Sequence, residues 1–255
     1  MAKRRQFLAL LAGTALSGVL GGRSGAAADA GVVHGKGADG VLTLFLCGDV
    51  MTGRGIDQIL PDAVPPQLYE PYIRDARDYV RLAEQINGRV PAPVPYAYIW
   101  GDALTELTEL APDVRIINLE TASTAHPQPW PKGINYRMHP RNVPVLTAAS
   151  VDCCVLANNH VLDWGGPGLA ETLASLEDAG IRHAGAGPDL AAARSPAVLA
   201  VPGQARGEAR VLGFAFGSES SGIGRAWAAT ATRPGVNLLP DLSEATVTAV
   251  AAQVR

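Results

Sequence analysis

Three short polar stretches carry side chains able to do chemistry, and each follows an apolar run: Gly48-Asp49-Val50-Met51, Asn118-Leu119-Glu120 and Asn158-Asn159-His160. Carboxylate and amide oxygens suit hard divalent cations, and an imidazole beside them can move a proton or polarise a substrate oxygen. The spacing therefore points to a hard-metal or acid/base centre. Arg54, just after the first stretch, offers a planar fork for a phosphate or carboxylate.

Such a centre needs elements that bring distant residues together. Val41 to Cys47, Val114 to Leu119 and Asp152 to Leu156 read as buried strands, each ending at one of the polar stretches. In open α/β sheets ligands bind beyond the carboxyl ends of the strands, so three tips at one edge can converge on one site. Helices are expected over 74–87, with Gly88 as the stop, and over 103–110 and 143–149. Another is expected over 168–179, where Leu169, Leu173 and Leu176 form the apolar stripe and Gly180 caps the end. Further strands are expected at 181–184, 197–201 and 209–216. Residues 121–139, rich in Pro, Thr and His without periodicity, read as a surface loop. A last helix capped by Asp241 or Ser243 continues to Arg255. A helix in an α/β pattern normally leads into another strand, so the expected architecture is α/β with the chain truncated at its C-terminus.

The first residues are set apart from this pattern. Lys3-Arg4-Arg5 precede the apolar run from Phe7, and Ala26-Ala27-Ala28 offers a cleavage site, so residues 1–28 read as an export signal of twin-arginine type. The apolar run is shorter than the roughly 20 residues of a spanning helix. Residues 29–40 are a Gly-rich flexible leader, and 41–255 form the folded unit. This places the protein outside the cytoplasm, in the periplasm, cell envelope or extracellular space.

The chain of 255 residues has a net charge of −3. Loss of residues 1–28 removes four cations and no acid, leaving about −7, which excludes a sequence-independent nucleic-acid binder. Cys47, Cys153 and Cys154 lie in apolar runs, where small buried thiols are expected rather than a disulfide framework or a zinc site.

Gly48-Asp49-Val50-Met51-Thr52-Gly53-Arg54, Asn118-Leu119-Glu120-Thr121, Ala157 through Gly165 and Gly185-Ala186-Gly187 together resemble the CapA family of capsule or poly-γ-glutamate synthesis proteins. The family is similar in fold to calcineurin-like metallophosphoesterases. The resemblance implies a layered α-β-β-α sandwich, a divalent metal (Mn, Mg, Ca, Fe or Zn) at Asp49, Glu120 and Asn159, and a catalytic role for His160. Met51 stands where metallophosphoesterases have a histidine, and Glu120 follows Asn118-Leu119 where they have an aspartate. The resemblance also implies further histidines from a C-terminal portion, and no histidine follows His183. The metal site is thus expected to be incomplete in this chain, and the chain as given inactive.

Each residue also has a structural explanation. Asp49 can cap a turn, Asn158 and Asn159 can be turn residues, and Asp163 and Trp164 are expected to shape a turn rather than react. Glu120 is less easily explained, because a carboxylate at a buried strand tip needs a partner. His34, His126, His139 and His183 have no motif around them. Three functions follow: polymer biosynthesis or processing by a metal-dependent hydrolase or transferase acting on an anionic polymer, a non-catalytic extracytoplasmic component that binds or transports polymer beside a membrane synthase complex, and a metal-dependent phosphoesterase. With an acidic surface, contact with a polyanion is expected only at a local basic site around Arg54.

Overall fold

A computed structural model describes residues 41–204 and 207–254; the expected export signal and leader lie outside the described residues. In chain order the elements are β1 (Leu44–Val50), α1 (Arg54–Ile59), α2 (Arg77–Asn87), α3 (Ala103–Leu110), β2 (Val114–Leu119), β3 (Ala122–Ser123), β4 (Arg137–Met138), α4 (Pro144–Ala148) and β5 (Cys153–Val155). There follow α5 (Gly165–Asp178), β6 (Arg182–Ala184), β7 (Ala186–Gly187), α6 (Leu190–Arg194), β8 (Ala197–Gln204), β9 (Gly207–Gly213), β10 (Gly235–Val236) and α7 (Glu244–Gln253). The fold is mixed α/β. Its centre is a parallel sheet ordered β1-β2-β5-β6, with Leu44 beside Val114, Ile116 beside Cys153, and Cys153 beside Arg182.

The two-residue period of the strands decides which face each side chain buries. Ile117, Leu119 and Cys154 join Leu146, Leu169, Leu173 and Leu176 in the larger core, on the face covered by helices. Val114, Cys153 and Ala184 turn to the other face, where Ala197, Leu199 and Val201 of the antiparallel β8–β9 hairpin cover them. The adjacent Cys153 and Cys154 therefore sit in different cores, both fully buried and both free thiols. Burial pushes the Cys153 thiol up to about 12 and raises Cys154 as well.

Four expectations change. The first strand is an edge, not a buried strand: Phe45 and Cys47 pack inward, while Leu44 and Leu46 are exposed on the opposite face beyond the reach of the hairpin. Residues 121–139 are not simply a surface loop. Thr121 to Thr124 are buried, and β3 pairs in parallel with β4, because Thr172 on α5 accepts from the Ser123 backbone N–H and supplies the polar partner that periodicity cannot reveal. The helix expected from Arg74 begins at Arg77, since Asp75 accepts from the Arg77 N–H and side chain and holds the preceding turn. α1 was not anticipated; six residues are too few to show a helical period. The last helix starts as expected, with Ser243 as N-cap and Asp241 accepting from the Ser243 hydroxyl.

Two close backbone approaches tie this frame to the site. A side chain on Gly53 would meet the Arg137 carbonyl at 2.7 Å, so glycine lets the chain after β1 press against β4. Gly185 has φ +90°, and a Cβ there would strike Ala157 and Ala215. Glycine thus permits the sharp turn from β6 to β7 behind the 157–165 segment.

Candidate functional site

The C-terminal edge of the sheet gathers the three polar stretches. Between Cys47 and Val50 the register with β2 shifts, and Asp49 takes φ +46°, a left-handed conformation that a non-glycine residue adopts at a cost. The shift carries Asp49 to Asn118, whose Nδ2 donates to Asp49 Oδ1 at 3.0 Å and to Glu120 Oε2 at 2.7 Å. Glu120 follows β2 directly, and its backbone N–H donates to the Val50 carbonyl.

Asn158 fixes this arrangement. Its Oδ1 accepts from the backbone N–H groups of His160 and Val161, so its Nδ2 must face the other way. That nitrogen donates to Asn118 Oδ1 and to the Leu119 carbonyl, each at 2.9 Å. Asn118 is thereby oriented with its own amide nitrogen toward both carboxylates. The chain of amides starts from two backbone donors and ends on two acids.

His160 completes the group. Its Nδ1 lies 2.6 Å from Asp163 Oδ2, and its Nε2 lies 3.9 Å from Glu120 Oε1. Asp163 has no exposed surface, and three donors converge on its carboxylate: His160 Nδ1, the Tyr136 N–H at 2.6 Å, and Lys132 Nζ at 2.6 Å from Oδ1. With Asp163 acting as acceptor, the imidazole proton resides on Nδ1 and Nε2 is the nitrogen left to face Glu120. Burial pushes the Glu120 carboxyl above its ordinary value; His160 and the Asn118 donor pull it back. The Tyr136 ring stacks on the imidazole with centroids 3.9 Å apart and planes 16° from parallel, which restrains the ring.

Arg54 stands differently from its expected role as an anion receptor. Its Nε is 2.6 Å from Glu70 Oε1, the pair is almost wholly buried, and the guanidinium lies over the rings of Tyr79 and Tyr136, 4.9 and 4.4 Å from their centroids. Tyr79 donates its hydroxyl to the other Glu70 oxygen, and burial and that bond raise its pKa. Arg54 has φ +52°, so a second strained residue lies at this site. Its charge is used internally; it backs Tyr136, which backs His160.

The Asn159 side chain faces the Gly222 backbone and makes no hydrogen bond among the described residues, while its carbonyl accepts from Lys132. Asn158 joins the polar network in its place. Lys132, Tyr136 and Asp163 carry little sequence signal of reactivity: the first two lie in a stretch without periodicity, and Asp163 is expected to shape a turn. The one available signal was the three-residue spacing of His160 and Asp163, which puts both side chains on one turn.

Tested as a metal centre, the described residues fall short of a closed site. Asp49 and Glu120 already share one amide donor, and among the described residues no three His, Cys, Asp or Glu side chains are gathered to hold an ion. What the arrangement can do unaided is hold a protonated or deprotonated Glu120 against an oriented imidazole, with Asp163 stabilising the imidazolium that forms when Nε2 takes a proton.

The family model described as bacterial capsule synthesis protein PGA_cap matches residues 43–255. A probable polyglutamine synthesis accessory protein of Mycobacterium tuberculosis, found in strains CDC 1551 and H37Rv, is 51% identical over 216 residues, covering 84% of this chain and 56% of the relative. An uncharacterized protein of Sinorhizobium fredii is 37% identical over 145 residues, covering 53% of this chain and 31% of that protein. The chain thus spans little more than half the length of the Mycobacterium relatives.

Proposed function

Because the chain belongs to the bacterial capsule synthesis protein family, we propose that it serves the synthesis or processing of poly-γ-glutamate through an acid–base centre formed by Glu120, His160 and Asp163. The observation that carries this reading is the flanked imidazole: Asp163 on one side and Glu120 on the other, with Asn118 and Asn158 fixing the second carboxylate. His160 Nε2 and the Glu120 carboxyl lie side by side and exchange a proton with a polymer amide or a water set against both. Asp163 holds the ring orientation, and Tyr136 excludes water from one of its faces.

The relatives' name, accessory protein in polyglutamine synthesis, supports work beside a synthase rather than polymerisation by this chain alone. A membrane synthase complex is the proposed partner, and export by the signal at residues 1–28 brings the protein to it. A divalent cation would meet Asp49 and Glu120 first and be retained weakly, since these carboxylates lack further described ligands. The parallel sheet is read as one layer of an α-β-β-α sandwich; the exposed Leu44 and Leu46 support this, being the surface a second layer would cover.

A non-catalytic role, with polymer carried on another part of the molecule, is favoured by one observation: Glu70 pairs with Arg54, so the expected anion receptor beside His160 is occupied. Asp49→Asn and His160→Ala in the full-length protein, assayed for polymer production and for polymer hydrolysis, separate the two. Loss in both variants is expected. Unchanged activity in both would leave only the carrier role.

A further inference from the structure

The proposed centre is rich in acceptors and its arginine is sealed, so a polyanion must be held elsewhere. At the opposite edge of the sheet lies a cleft of about 810 Å³ between the end of α5 and the β8–β9 hairpin, with Glu177, Arg182, His183, Ala200 and Arg210 in its walls. Arg182 opens β6 and pairs in register with Cys153, the first residue of β5, whereas Asp49, Glu120 and His160 lie at or beyond strand ends. In a parallel sheet these positions are at opposite edges.

The two arginines of this cleft are exposed, and among the described residues neither guanidinium has an ion pair or hydrogen bond. They differ in this from Arg54, Arg77, Arg81, Arg141 and Arg225, each of which faces a carboxylate. Among the described residues the one acid in the wall, Glu177, is engaged by His183, whose Nε2 is 3.3 Å from Glu177 Oε1. The remaining charge on the described residues of the cleft is positive, on a molecule whose net charge is −3. Overall attraction cannot concentrate a polyanion on such a protein, so a local pair of unpaired guanidinium groups is what would capture one. Each presents a fork matched to a carboxylate, and the antiparallel pairing of Ala200 with Arg210 holds one of them on a defined strand.

We propose that the cleft between α5 and the β8–β9 hairpin is a binding site for a carboxylate-bearing polymer, with Arg182 and Arg210 each taking one carboxylate of the chain. The volume falls within the range of about 300–1,000 Å³ typical of ligand sites and gives room for a short stretch of polymer rather than a single ion. Binding here holds the polymer at the edge of the molecule away from the acid–base centre. The site rests on the reading of the protein as one that handles polyglutamate, but not on catalysis by His160.

The test is fluorescence anisotropy of the full-length protein with labelled poly-γ-glutamate of fixed length at low salt, with polyphosphate and neutral polyglutamine as comparison polymers. Arg182→Ala with Arg210→Ala is expected to weaken polyglutamate binding by roughly tenfold or more, and the corresponding lysine pair to retain part of it. Arg77→Ala, which removes an exposed arginine already paired with Asp75, is expected to bind as the wild type does. Equal affinity of the wild type and the alanine pair overturns the assignment, as does binding of polyglutamine as tight as polyglutamate, or arginine-dependent binding of polyphosphate alone. If cellular polymer production depends on the protein while the arginine pair leaves binding unchanged, the cleft assignment fails and the proposed function stands.

Discussion

At the scale of single residues, the buried carboxylate of Asp163 accepts from an imidazole, an ammonium and a backbone N–H. Removing one member of a buried charged group costs about 3–5 kcal/mol, because the remaining charge is left without a partner. Asp163→Ala is therefore expected to lower the unfolding free energy by about that amount, read by urea denaturation. Lys132→Met removes a side chain that is 26% exposed and leaves Asp163 its imidazole and backbone donors, so it should cost less. Tyr136 acts on the imidazole through its ring face and not through its hydroxyl. Tyr136→Phe should preserve the ring-current shift of the His160 carbon-bound protons in NMR spectra, and Tyr136→Leu should abolish it; unchanged shifts in the leucine variant would show that the stack does not form. His160, Glu120 and Asp49 were legible in the sequence because each follows an apolar run. The choice of Asn158 over Asn159 was not, since two adjacent amides in a turn differ only in the direction each faces once the backbone is fixed.

At the scale of elements, α1 is held by one acid. Asp57, fully buried, accepts from the N–H groups of Val64 and His139 and from the Asn142 amide, joining α1 to the loop behind it and to the segment after β4. Burial raises its pKa above the ordinary value, and those bonds oppose the rise. An acid whose folded pKa is raised binds its proton more tightly in the native state. Its contribution to stability is thus greatest below the unfolded value, about 4, and declines as pH rises through the folded value. Asp57→Asn should remove that decline from the pH dependence of unfolding. It should also cost about 1–3 kcal/mol near neutrality, where the new amide donor faces a backbone donor. A slope identical to the wild type would assign the titration to another group. The strands β2 and β5 and the helices α3 and α5 were readable from periodicity. β3, β4 and α1 were not, because they are too short to show a period and are held by side chains distant in sequence, Thr172 and Asp57 among them.

At the scale of the whole molecule, the sheet separates two chemistries: an acidic, acceptor-rich edge at Asp49, Glu120 and His160, and an edge whose cleft holds arginines unpaired among the described residues. The same sheet hides two of the three thiols. Native protein should react with a thiol reagent at Cys47 at most, and denatured protein at all three positions; rapid native labelling of Cys153 or Cys154 would contradict the buried cores. The charge separation was only partly visible beforehand. Arg54 was the expected basic site because it adjoins the first motif, yet Glu70, sixteen residues on, claims it, and no local pattern announces that pairing. Calorimetric titration of residues 29–255 with Mn²⁺ or Mg²⁺ should show weak binding, in keeping with two carboxylates that share one amide donor; tight stoichiometric uptake would require ligands beyond those described here.

In the proposed centre His160, set between Asp163 and Glu120, does the chemistry that capsule polymer formation requires of this protein. The most direct measurement replaces the gene in its own cell with one encoding His160→Ala, and quantifies poly-γ-glutamate together with the abundance and circular dichroism of the exported variant. Loss of polymer with a folded protein at normal abundance is the predicted result. Wild-type polymer levels from the folded variant would contradict it.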